Sequence, residues 1–155
     1  MEYTTQMDAR RKGIVTEELR KVAEKEHFEV NELMALVAEG KAAIPANKNH
    51  RCLDPNGIGS MLRTKINVNL GTSRDCKDLD MELEKVNYAV GMGAESIMDL
   101  SSWGDTQKFR RELTAECPAI IGTVPIYDAV VYYHKPLKDI TTEEWLKIVE
   151  MHAED

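Results

Sequence analysis

The seven residues TKINVNL, 64–70, decide the fold. Ile66, Val68 and Leu70 alternate with polar partners, which is the two-residue period of a half-buried strand, and Gly71 ends the run. From there the chain alternates strand and helix. Leu79, Leu83, Val86 and Val90 stand at helical spacing over 79–90, with Gly91 and Gly93 behind them. SIMDL, 96–100, reads as a second strand, 106–116 as a weaker helix, and AIIGTVPI, 119–126, as a third strand interrupted by Gly122. A mixed segment with Tyr132 and Tyr133 leads to His134-Lys135-Pro136, which breaks it. Thr141 and Glu144 then form a capping box for a final helix carrying Trp145, Ile148, Val149 and His152. Such repetition implies parallel pairing through right-handed crossovers. The turn Asn69-Leu70-Gly71-Thr72-Ser73 is neither GxGxxG nor a P-loop, which favours a (β/α)8 barrel over a doubly wound sheet.

Before residue 55 the pattern differs. Thr16 caps a helix with Leu19, Val22 and Ala23 on its apolar face; Asn31 caps a second with Leu33, Met34 and Val37, stopped by Gly40. Residues 42–44 are extended before Pro45. Neither helix is long enough to stand alone in water. The expected class is therefore α/β: an N-terminal helical and loop region, 1–54, then the first three βα units of an incomplete barrel, 55–155. A full barrel takes roughly 250 residues, and this chain has 155.

Composition excludes several functions. With 20 basic and 27 acidic residues the net charge is −7, against the basic face that a nucleic-acid partner requires. No stretch approaches the ~18–20 apolar residues of a membrane span, and the start, MEYTTQMDARRKG, has no apolar signal core. A cytoplasmic location is expected. Cys52, Cys76 and Cys117 are odd in number and form no CxxC pair, so neither a disulfide framework nor a zinc knuckle is expected.

In a parallel barrel the functional groups lie at the C-terminal ends of the strands. Asn69 closes the first strand, Met98 lies late in the second and Tyr127 follows the third, at equal intervals of 29 residues. Each also has a plainer reading: a turn cap, core filling, a rim aromatic. Pro45-Ala46-Asn47-Lys48-Asn49-His50 offers two amides, an amine and an imidazole for a polar ligand, or a solvated turn. Asp99 on an apolar strand needs a partner, and an ion pair or backbone hydrogen bond suits it better than a role as catalytic base. No Ser-His-Asp order, HExxH or paired carboxylates occur, and His27, His134 and His152 carry no assigned role.

The stretches TTQMDARRKGIVT (4–16), AEGKAAIPANKNH (38–50), LRTKINVNLGTS (62–73), GAESIMDLS (93–101) and IGTVPIY (121–127) carry a resemblance. Together they resemble the N-terminal portion of the phosphomethylpyrimidine synthases, the thiamine-pyrimidine branch of the radical S-adenosylmethionine (SAM) enzymes. The wording is closest to the anaerobe-type branch, which includes the 5-hydroxybenzimidazole synthases. The resemblance implies a homodimeric (β/α)8 lyase. It would convert 5-aminoimidazole ribotide to hydroxymethylpyrimidine phosphate with SAM, a [4Fe-4S] cluster and a nearby zinc or iron. It implies ribotide contacts at Asn69, Met98 and Tyr127, and no catalytic or metal-binding residue in this chain. Where the family usually writes DLSTG this chain has Asp99-Leu-Ser-Ser-Trp103-Gly, which leaves substrate identity open. The family's cluster motif CxxCxxxxC and metal-binding histidines lie beyond MHAED. The chain alone is therefore expected to be inactive, either acting with a C-terminal half or serving as a non-catalytic ribotide-binding remnant.

Overall fold

The computed structural model describes residues 2–155. The chain forms two compact units that interleave in sequence. One takes the residues up to Ala46 and Asp54–Lys65; the other takes Asn47–Leu53 and Ile66–Asp155. The chain thus crosses between units at residues 46–47, 53–54 and 65–66, whereas the sequence reading places a single division after residue 54.

The first unit holds three helices, α1 (Gln6–Arg11), α2 (Glu17–Glu26) and α3 (Val30–Ala38), and two short strands, β1 (Ala42–Ala43) and β2 (Ile58–Gly59). Thr16 caps α2 as expected, its hydroxyl accepting from the Leu19 amide at 3.3 Å. Asn31 does not cap α3: the N-cap is Glu29, without a side-chain bond, and Asn31 lies inside the first turn. Leu19, Val22, Ala23, Leu33 and Val37 form the core with Ala42 and Ile44. The antiparallel pairing of β1 with β2 brings Gly59 against Ala42. A side chain at Gly59 would strike the Lys41 carbonyl oxygen, 2.3 Å from the Cβ position. Lys65 and Glu26 make a buried ion pair, with side-chain exposures of 5% and 3%.

The second unit is built on a three-stranded parallel sheet, β3 (Asn67–Leu70), β4 (Ser96–Asp99) and β5 (Ile120–Thr123), in the order β3-β4-β5. Helix α4 (Leu79–Gly91) connects β3 to β4, and α5 (Thr106–Glu116) connects β4 to β5. These are the expected strand–helix–strand units, and the class is α/β. One face carries Val68, Leu70, Ile97 and Ile121, which pack with Val86, Phe109 and Leu113 of the helices. The other face carries Asn67, Asn69, Ser96, Met98 and Gly122, placed side by side by the strand register.

Two readings of this region change. The third strand stops at Thr123 rather than running through 126, because Pro125 takes the first position of helix α6 (Pro125–Tyr133). A ring with φ fixed near −65° and no N–H suits that position and does not continue a paired strand. The mixed segment with Tyr132 and Tyr133 is therefore helical. The strand 64–70 is also shorter than its pattern, starting at Asn67, with Ile66 largely exposed. A 3-10 turn (Leu137–Asp139) leads to α7 (Thr142–Glu154). The capping box of Thr141 and Glu144 is present in full, and Ile148 and Met151 are buried with Ala129.

No described helix is long and apolar enough to cross a membrane.

Candidate functional site

Asn69 and Met98 are register partners on β3 and β4, and the β5 residue level with them is Gly122. The equal sequence spacing does not carry to the third strand. Positions 69 and 98 are 29 apart, but 98 and 122 are 24 apart, because the second crossover is shorter. Tyr127 lies past the strand end, in the first turn of α6, and is 47% exposed. The structure thus brings Asn69 and Met98 together and places Tyr127 on the adjoining turn.

Glycine at 122 has a steric reason. A Cβ there would lie 2.7 Å from Met98 Cε and 2.8 Å from Sδ, so the thioether occupies the space that a side chain on β5 would take. A polar chain crosses the same face: Ser96 Oγ donates to Asn67 Oδ1 at 2.9 Å, and Asn67 Nδ2 donates to Asn69 Oδ1 at 2.8 Å. That orients the Asn69 amide with its NH2 end without a partner among the described residues. An exposed donor beside a flexible, polarisable thioether suits a planar heterocycle with acceptor atoms.

The loops beyond the strand ends are stitched to one another. Gly71 has φ +135°, and a Cβ there would lie 2.5 Å from the Ser101 nitrogen. The Thr72 amide donates to Ser101 Oγ (3.1 Å), and Thr72 Oγ1 donates to the Trp103 carbonyl (2.6 Å). Asp99 is 4% exposed and accepts from the Ser101 amide at 2.8 Å. Burial pushes its carboxyl above the usual range, against the Ser101 hydrogen bonds and the Arg110 charge. The backbone partner expected for Asp99 is present. Trp103, the departure from the DLSTG wording, has the Lys77 ammonium 4.8 Å and the Arg74 guanidinium 5.9 Å from its ring centroid.

The PANKNH segment is tied down from several sides. Asn49 Nδ2 donates to the Glu154 carbonyl at 3.0 Å and Asn47 Nδ2 to that of Ala153 at 3.4 Å, satisfying the last turn of α7. Asn47 Oδ1 accepts from the Asn49 amide at 3.0 Å, and His50, buried, bonds the Cys117 carbonyl through Nε2 at 2.6 Å.

A cluster that the sequence does not announce surrounds Asp128. Arg110 Nη1 donates to Asp128 Oδ2 at 2.8 Å, and Thr106 donates to Oδ1. His152 Nε2 donates to Oδ2 at 3.0 Å, and its Nδ1 lies 2.8 Å from Thr123 Oγ1. Arg110 also pairs with Asp155 at 3.0 Å. Burial opposes ionisation of Asp128, but the hydrogen bonds from His152 and Thr106 and the Arg110 charge hold its carboxyl down to about 2. In the sequence His152 is legible only as a polar residue in the last turn of an amphipathic helix.

Two of the three cysteines, Cys52 and Cys117, are neighbours. Cys76 Sγ donates to Glu82 at 3.6 Å, Cys52 Sγ to the Cys117 carbonyl at 3.3 Å, and burial raises the Cys117 thiol. Among the described residues no three His, Cys, Asp or Glu side chains are grouped to hold a metal ion.

The sequence pattern of the Radical SAM ThiC family matches residues 5–155. Curated relatives named phosphomethylpyrimidine synthase align over the whole chain. They include a protein of Clostridium botulinum (strain Hall / ATCC 3502 / NCTC 13319 / Type A) at 65% identity, one of Clostridium botulinum (strain 657 / Type Ba4) at 64%, and one of Clostridium novyi (strain NT) at 61%. This chain spans 36% of the length of each. The family pattern and these alignments agree, and the chain belongs to the radical SAM ThiC family.

Proposed function

We propose that this chain forms the substrate-seating part of a thiamine-pyrimidine lyase acting on 5-aminoimidazole ribotide. Its parallel strands are the first three of a (β/α)8 barrel, and the helix-free face is the barrel interior. Asn69 donates to the imidazole or ribose of the ribotide, Met98 packs against the ring, and Tyr127 closes the adjoining rim. The single observation that supports this best is the side-by-side register of Asn69 and Met98, with Gly122 giving the Met98 thioether room on that face.

The family implies an iron–sulfur cluster and SAM. The described residues do not fit a cluster: no three His, Cys, Asp or Glu side chains are grouped to hold a metal, and Cys76 bonds Glu82. The cluster, and a zinc or iron beside it, belong on this reading to the rest of the family's length. The chain's own contribution is binding and orientation, which set the reacting carbons in place. Alone it has no synthase activity; combined with the remainder it works as a homodimer.

The test is titration calorimetry with the ribotide on this chain combined with a polypeptide covering the rest of a relative's length. Asn69→Ala should weaken binding about fivefold, the worth of one hydrogen bond near 1 kcal/mol. Unchanged affinity would remove Asn69 from the site. Absence of ribotide binding in the unsubstituted complex would remove the reading itself.

A further inference from the structure

The side chain of Tyr127 makes no hydrogen bond among the described residues, so the backbone turn from Thr123 to Asp128 is what fixes its place. That turn lacks the usual device for starting a helix. Val124 is the N-cap of α6 and supplies no side-chain bond to the first turn. One imidazole from α7 instead grips both ends. His152 Nδ1 reaches Thr123 Oγ1, the last strand residue, at 2.8 Å, and Nε2 reaches Asp128 Oδ2, beyond Tyr127, at 3.0 Å.

An ionised Asp128 only accepts, so His152 Nε2 donates to it, and Nδ1 is left to pair with the Thr123 hydroxyl. Asp128 is locked in turn by Arg110 and Thr106 of α5, and the His152 side chain is 7% exposed. An enclosed ring with both nitrogens used has little freedom to move. The clamp spans the residues that carry Tyr127.

We propose that His152 is a positioning residue for Tyr127: by tying Thr123 to Asp128 it holds the β5–α6 turn, and with it the tyrosine that faces the ligand. The ligand half of this statement rests on the reading of Tyr127 as a ribotide contact; the clamp itself does not.

Two measurements separate them. The first is amide hydrogen exchange in the full chain. The Tyr127 and Asp128 amides both bond the Val124 carbonyl, at 3.0 and 3.4 Å. His152→Ala should speed their exchange about tenfold while the amides of α4 keep their rates. His152→Gln, which retains one donor and one acceptor, should restore part of the protection. Unchanged exchange at Tyr127 and Asp128, or equal acceleration throughout the chain, overturns the clamp. The second is ribotide affinity in the reconstituted protein, read as a double-mutant cycle. His152→Ala should weaken binding roughly tenfold, and the double variant with Tyr127→Ala should bind no worse than Tyr127→Ala alone. Additive losses overturn positioning through Tyr127. An inert Tyr127→Ala overturns the ligand reading while the exchange result still judges the clamp.

Discussion

Protonating Asp128 should weaken the second unit by an amount its surroundings set. The carboxyl is held near 2 against an ordinary 3.8, and each tenfold change in proton affinity corresponds to about 1.4 kcal/mol. The charged form thus contributes on the order of 2 kcal/mol at neutral pH. Because the folded value is depressed, that contribution is complete above the unfolded value. It is lost as pH falls from about 4 toward 2, with about 1 kcal/mol left near pH 3. Asp128→Asn removes the titrating charge and leaves Arg110 its second partner, Asp155, at 3.0 Å. The variant should therefore lose this contribution alone, and not the about 3–5 kcal/mol expected when a buried charge is stranded. Urea unfolding at low protein concentration, followed by tryptophan fluorescence, suits this measurement, since Trp103 and Trp145 both lie in the second unit. The gap between parent and variant should be about 2 kcal/mol at pH 7 and roughly half that at pH 3. A gap that stays constant over this range would refute the claim that Asp128 is ionised by its neighbours.

Three further outcomes follow from other parts of the fold. Gly71→Ala should destabilise the second unit by about 1–3 kcal/mol, read by the same unfolding curves, because neither the backbone angle nor the Ser101 amide can give way. Lys65→Ala removes a charged hydrogen bond from the buried Glu26 carboxylate, which keeps the Arg63 amide at 2.7 Å and the Arg63 charge, and should cost about 1.5–3 kcal/mol; proteolysis confined to the first unit would report it, and resistance equal to the parent would count against the pair. The four-residue strands β3 and β5 each pair on one side only among the described residues. The isolated chain should therefore self-associate with rising concentration in light scattering; a monomer at all concentrations would contradict this.

Much of the architecture is legible in the sequence because local signals and packing agree. Thr16, the Thr141–Glu144 box and the Val68/Leu70 alternation each place an element whose buried face the tertiary structure then uses. The Asn69–Met98 pairing follows from the length of one crossover. Extending that length to a third member fails, because the path through α5 is shorter and register depends on connection length, which periodicity does not report. Pro125 is visible in the sequence yet reads as the tail of a strand, because the apolar run AIIGTVPI conceals a change of period at the proline. The Asp128 cluster is out of reach for a different reason. Thr106, Arg110, Asp128 and His152 come from three helices, and nothing local marks a polar residue whose partner is tens of positions away.

The bonds of Asn47 and Asn49 to the last turn of α7 span 106 and 105 positions. That distance has a meaning in time as well as in space. During synthesis at about 5–20 residues per second, the PANKNH segment emerges on the order of 5–20 s before its partners exist. Residues 54–65, which complete the first unit, appear within the first moments of that interval. The first unit is therefore free to close while the segment between its two stretches waits, with His50 unburied until Cys117 arrives. A delay of this kind leaves residues 47–53 open to a chaperone or a protease on the nascent chain.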